Sequence, residues 1–146
     1  MPEAGGRVRG FTLIEVLVVI VVIGILVVIA FPSFVSFLVR TDRGDAREAL
    51  AQVQLAQERF RSRAGSYTND FGALGLGAAG ATEINSPRDL YVIRIAANDR
   101  DSFTATAQAQ GRQLRDVAAC RGATADTRIR IVVTPGGEQR LPETCW

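Results

Sequence analysis

The chain has 146 residues, 47% of them apolar and 22% charged, which is ordinary for one soluble domain. Its 69 apolar residues are divided unevenly: 23 lie between Phe11 and Val39, while 43 are spread from Arg40 to Trp146, 18 of these being alanine. That division argues against a soluble enzyme with one large core. The 17 arginines, with no lysine or histidine, stand against 15 acids, so the commonest general base and metal ligand and the Schiff-base and phosphate-binding lysines are missing.

Residues 1–10, MPEAGGRVRG, are short, glycine-rich and basic at Arg7 and Arg9, with no apolar region ahead of a small-residue cleavage site. Residues 11–39 follow as an apolar segment, uncharged from Val16 to Val39. As a helix those 24 residues reach about 36 Å, enough to cross a hydrocarbon core of about 30 Å. The basic leader favours a cytoplasmic N-terminus, although Arg40, Arg43 and Arg47 on the other flank oppose that bias. One carboxylate, Glu15, interrupts the run. It either rests at the interface, where the helix N-terminus favours an anion, or awaits a positive partner that the segment itself does not contain. Gly24 and Pro32 weaken the helix between them, as glycine and proline do in many membrane helices.

Beyond the apolar run, Asp42 to Ala64 continues as an amphipathic helix. Ala46, Ala49, Leu50, Val53, Ala56, Phe60 and Ala64 recur at three- and four-residue spacing, which predicts a core-facing stripe, and Gly65 supplies the stop. Gly44 allows a bend near Arg40 to Gly44. Residues 65–89 read as a surface connection pinned by Tyr67, Phe71 and Leu74. Its glycines make no nucleotide loop, because no strand precedes them and no lysine follows.

Strand patterns fill 90–146. Tyr91, Ile93 and Ile95 alternate with polar or small residues, as do Phe103, Ala105, Ala107 and Ala109 after a polar turn, so the two runs predict a hairpin. Ile129, Ile131 and Val133 mark a third strand, followed by a turn at Pro135, Gly136 and Gly137 and a return through Leu141. Asn98, Asp99 and Asp101 in the first turn fall short of the six to eight oxygens of a calcium cage and read as solvated, so no metal site is expected. Cys120 and Cys145 suit a disulfide in an oxidising compartment, and closing their loop stabilises the head by about 3.5 kcal/mol in the chain-entropy model. Two separate buried thiols are the other reading. A disulfide places the head outside the cytoplasm.

The string Arg9, Gly10, Phe11, Thr12, Leu13, Ile14, Glu15 resembles the processing site of type IV prepilins and their pseudopilin relatives: a short basic leader, glycine before the cut, phenylalanine after it and glutamate at the fifth mature position. Gly24 and Pro32 fall where pilins commonly weaken this helix. The Gly-Ser-Tyr-Thr string at 65–68 is similar to the loop after the long helix in many pilins, and the terminal Cys145-Trp146 resembles the ending of a group of minor pilins. The resemblance implies an α+β type IV pilin fold, with a long N-terminal helix packed on a small antiparallel sheet. It implies cleavage between Gly10 and Phe11 by a prepilin peptidase, N-methylation of Phe11, and pairing of Glu15 with the α-amino group of Phe11 on a neighbouring subunit.

The expected function is that of a minor type IV pilus subunit. It polymerises through its helix, with no enzymatic activity and no cofactor, for motility, adhesion or DNA uptake. Its partners are the lipid bilayer before assembly, then other pilin subunits and the inner-membrane assembly machinery. It waits in the bacterial inner membrane and ends on the cell surface. A pseudopilin of a type II secretion system is the alternative. A third reading is a nucleic-acid receptor on a competence pilus, using Arg112, Arg115, Arg121, Arg128, Arg130 and Arg140; against it, six acids are interleaved with the seven arginines from Asp99 to Trp146. A membrane-anchored enzyme is disfavoured, because no paired carboxylates or activated nucleophile stand out.

Overall fold

The computed structural model describes residues 10–116 and 128–146, leaving aside the side chains of Pro32, Asn98 and Arg115. The chain divides into two compact units between Phe37 and Leu38. The first unit is formed by helix α1 (Leu13–Thr41), whose last four residues already belong to the second. The helix runs unbroken through Gly24 and Pro32. A Cβ at Gly24 would meet nothing within 4 Å, so the glycine serves no packing inside the chain. Helical structure from Leu13 onward includes a window of mean hydropathy 3.4 with none of it buried, long and apolar enough to cross a membrane.

Helix α2 (Arg43–Ala64) lies wholly in the second unit and is separated from the end of α1 by Asp42 alone. Its end is set by Gly65, which adopts φ 73° and donates its N–H to the carbonyl of Arg61 at 2.8 Å. Only glycine adopts that left-handed conformation without a steric cost. Five strands follow: β1 (Glu83–Asn85), β2 (Tyr91–Asp99), β3 (Ser102–Ala109), β4 (Arg128–Thr134) and β5 (Gly137–Leu141). They form an antiparallel meander in chain order, with Ile93 opposite Ala107 and Ala107 opposite Ile129. Short 3-10 turns at Gly111–Asp116 and Glu143–Cys145 flank the last hairpin.

Helix α2 packs across β2, β3 and β4. Its Ala46, Ala49, Leu50 and Val53 meet Tyr91, Ile93, Phe103, Ala105, Ala107, Ile129 and Ile131, all nearly or completely buried. Alanines under the helix on the central strand keep the layer thin, which explains how an alanine-rich head closes a core without many large side chains. Tyr67 packs edge-on against Phe103 with ring centroids 4.7 Å apart, and Phe71 is fully buried, so the loop is pinned by two of the three residues expected to hold it, with Leu74 packed at the core's margin.

The expected core stripe is corrected at its C-terminal end. Phe60 is only half-buried and Ala64 is exposed, whereas Gln57 is completely buried. The Gln57 amide donates to the Thr68 carbonyl at 2.5 Å and accepts from the Thr68 N–H at 3.2 Å, so a polar side chain there satisfies loop backbone that an apolar one would orphan. The connection expected over 65–89 also contains β1, whose single inward residue, Ile84, pairs with Ile93.

Candidate functional site

At the start of the described chain, Phe11 is 82% exposed and Glu15 is exposed in the first turn of α1, where its N–H donates to Thr12 Oγ1 at 3.3 Å. Large apolar side chains follow on every side of the helix, among them Leu17, Ile20, Ile25, Phe31 and Phe34, each more than half exposed. Covering some twenty such groups is worth on the order of tens of kcal/mol, so this surface requires lipid or other helices around it.

In the head, the N-terminal end of α2 is the hub of a buried polar network. Arg43 donates two parallel bonds to Asp116, Nε to Oδ2 at 2.5 Å and NH2 to Oδ1 at 2.7 Å, with both side chains no more than 10% exposed. Hydrogen bonding to Asp116 raises the Arg43 pKa further, so the guanidinium stays charged. Asp42 accepts from Arg88 at 2.8 Å and pairs with Arg112 at 2.8 Å. Asp45 accepts from the Ser86 hydroxyl and from the Arg88 N–H. Tyr91, its pKa pushed up mainly by burial, donates its hydroxyl to Gln113. These contacts tie the helix to the β1–β2 connection and to the 3-10 turn at Gly111–Asp116.

The six arginines singled out from the sequence do not form one patch. Arg112 is paired with Asp42 in that network. Arg121 lies outside the described residues, as does the side chain of Arg115. Arg140 is registered opposite Ile131, on the side of the sheet that faces α2; there it bonds Glu138 at 2.6 Å and lies 5.1 Å over the Trp146 ring. Arg128 and Arg130 occupy the other side.

That outer side brings in a residue that the sequence reading passed over. The register runs Glu83, Arg94, Thr106, Arg130, Leu141 straight across five strands, with Gln108 opposite Arg128 in the next row. Adjacent strands are about 4.8 Å apart and alternate residues about 7 Å, so the backbone positions of Arg94, Arg128 and Arg130 stand within roughly 12 Å of one another on one sheet face. Threonine and glutamine side chains lie between them. Glu83 is the one carboxylate among the described outward residues of this ladder, and it pairs with Arg94 at 2.7 Å. The signal for Arg94 was present: the residues alternating with Tyr91, Ile93 and Ile95 must point outward together, and so must those alternating with Ile129 and Ile131.

Cys145 is buried and disulfide-bonded, whereas Cys120 lies outside the described residues. Of the turn acids, Asp99 accepts from Ser102 and Asp101 pairs with Arg61 at 2.7 Å.

An apolar helix opening on a methylation motif, followed by a head of one helix on an antiparallel sheet, is the architecture of type IV pilins. The motif is matched directly, since the family model of the prokaryotic N-terminal methylation motif fits residues 6–31. A second family model, described as type IV minor pilin ComP, DNA uptake sequence receptor, matches residues 32–124, more than half of the chain. The chain belongs to this family of type IV minor pilins. No curated protein matches it significantly. Membership favours the minor pilin over the secretion-system pseudopilin, and it implies processing by a peptidase, membrane anchoring before assembly, and assembly with other pilins.

Proposed function

We propose that this minor pilin is a receptor for duplex DNA, and that the outer sheet face carrying Arg94, Arg128 and Arg130 contacts the phosphate backbone. The observation that carries the reading is the match of residues 32–124 to a family described as a DNA uptake sequence receptor. Its support in the head is the concentration of three arginines on one face, with Glu83 the one carboxylate in their two rows among the described residues. Phosphate contacts by arginine, backed by threonine and glutamine, supply affinity and orientation without base reading. The interleaved acids, which argue against DNA binding in the linear sequence, largely fall elsewhere: Asp116 pairs with Arg43, Asp101 with Arg61, and Glu138 with Arg140 on the opposite face.

Before it reaches the fibre, the chain sits in the bacterial inner membrane with its head outside the cytoplasm. Cleavage between Gly10 and Phe11 frees the α-amino group that is then methylated, and Glu15 pairs with that group on a neighbouring subunit. Two opposite charges brought together in an apolar fibre core compensate each other's desolvation, whereas each alone is penalised. The inner-membrane machinery supplies the driving force for extraction. Cys120, the only other cysteine in the sequence, closes the disulfide with Cys145.

Binding of a labelled duplex by the mature chain in detergent, measured over a salt series, tests the DNA reading. Each phosphate contact contributes about −0.9 to the slope of log K against log salt, so replacing Arg94, Arg128 or Arg130 by alanine flattens the slope by about one. Absence of duplex binding, or a triple variant with the original slope, refutes the proposal.

A further inference from the structure

A groove on the head, separate from the outer sheet face, runs between α2 and the loop at Leu74–Leu76 and encloses about 640 Å³. Its lining combines leucines 55, 74 and 76 with Arg59 and Arg63. Leu55 is 53% exposed, the most exposed large apolar side chain among the described residues of the second unit. Helical spacing places it on one face with Arg59 and Arg63, so burying it against the sheet would turn the core stripe away.

The two arginines of this groove stand without a carboxylate beside them among the described residues. Arg43, Arg61, Arg88, Arg94, Arg112 and Arg140 each have a carboxylate partner, but neither Arg59 nor Arg63 has one among the described residues. Arg63 donates only to the Arg59 carbonyl at 3.1 Å. The lining contains no acid. Two uncompensated guanidinium groups beside a leucine floor complement a segment with one or two carboxylates flanking an apolar side chain. Protein interfaces have this composition, an apolar centre enriched in arginine, whereas duplex DNA presents a polar, hydrated surface.

We propose that this groove docks an acidic, apolar-centred segment on the head of the adjacent pilin subunit. The inference rests on membership of the pilin family and is independent of DNA binding. A subunit held in a fibre by α1 has other pilins as its neighbours, and the groove gives the head a contact of its own besides the helix. Bound there, Leu55 is covered, and the carboxylates of the partner pair with Arg59 and Arg63. That charge match would also select which pilin stands beside this one.

Photocrosslinking in sheared fibres from the native cell tests the proposal. A benzophenone side chain replacing Leu55 should join the chain to another pilin, at a head peptide containing Asp or Glu, as read by mass spectrometry. The paired substitutions Arg59→Glu and Arg63→Glu should lower the crosslink at least tenfold per molecule incorporated, while Arg59→Lys with Arg63→Lys retains most of it. Melting temperatures of the variants control for folding, and the two positions are surface sites without ion pairs. No crosslink, a partner peptide without acids, or a yield unchanged by charge reversal overturns the proposal. Loss of duplex binding on charge reversal with the crosslink intact assigns the groove to nucleic acid and overturns it equally. Absence of the unmodified chain from fibres is a different outcome, refuting the incorporation into a fibre on which the inference rests.

Discussion

Replacing Asp116 by alanine strands the Arg43 guanidinium in a site where it is only 10% exposed. The two bonds at 2.5 and 2.7 Å then disappear together, while the charge remains buried. Breaking such a pair from one side costs about 3 to 5 kcal/mol, because desolvation of the surviving ion is no longer offset. For a head of this size, each kcal/mol moves the melting temperature by about 4 to 8 °C, so the single variant should melt at least about 12 °C lower. Substituting both partners, Arg43→Met with Asp116→Ala, removes the stranded charge and should restore most of the lost stability. The assay is thermal unfolding of the full chain in detergent, followed by near-ultraviolet circular dichroism from Trp146 and the tyrosines, for both single variants and the double. A positive coupling energy of about 2 kcal/mol or more is expected from the cycle. A single variant within 1 kcal/mol of the parent, or a double variant as unstable as the worse single, would refute the claim that the pair is energetically coupled.

Glu15→Val should be processed normally yet be depleted from sheared fibres, and unchanged incorporation measured by mass spectrometry would remove the charge-pairing role. Cys145→Ser should destabilise the head by about 3.5 kcal/mol in the chain-entropy model, and a melting temperature indistinguishable from the parent would contradict the staple. Tyr91, whose pKa burial raises above the ordinary tyrosine value, has a pH-dependent contribution that is full below about pH 10, where the unfolded phenol is still protonated, and is lost as pH rises through the higher folded pKa. Tyr91→Phe should therefore flatten the alkaline limb of the stability profile; an unchanged limb would count against that assignment. Glu138, whose pKa is lowered chiefly by its bond to Arg140, acts in the opposite range: its contribution is present above the ordinary carboxylate pKa and is lost on acidification, so Glu138→Gln should reduce the stability difference between neutral and acidic pH.

Much of this architecture was legible because it is written in local periodicity. The apolar run from Phe11 to Val39 has one physical meaning at that length, and the alternation in 91–95, 103–109 and 129–133 fixes strands and their inward faces together. Strand β1 escaped because three residues with one inward side chain contain no alternation to read. Gln57 escaped because its burial answers to the backbone of Thr68, eleven residues away, and not to the helix around it.

The candidate surfaces divide along the same line. The sequence alone determined that this is a membrane-length apolar helix opening on a prepilin-like motif and bearing an alanine-rich head, because side-chain hydropathy and the spacing around Gly10, Phe11 and Glu15 are local properties. It could not sort the arginines. Only the tertiary structure decided that Arg112 pairs with Asp42, that Arg140 turns toward the helix, and that Arg94 joins Arg128 and Arg130 on the far side of the sheet. Charge acts through space: a surface is made by residues that strand register brings within a few ångströms, while sequence neighbours on opposite faces of a sheet do not share one.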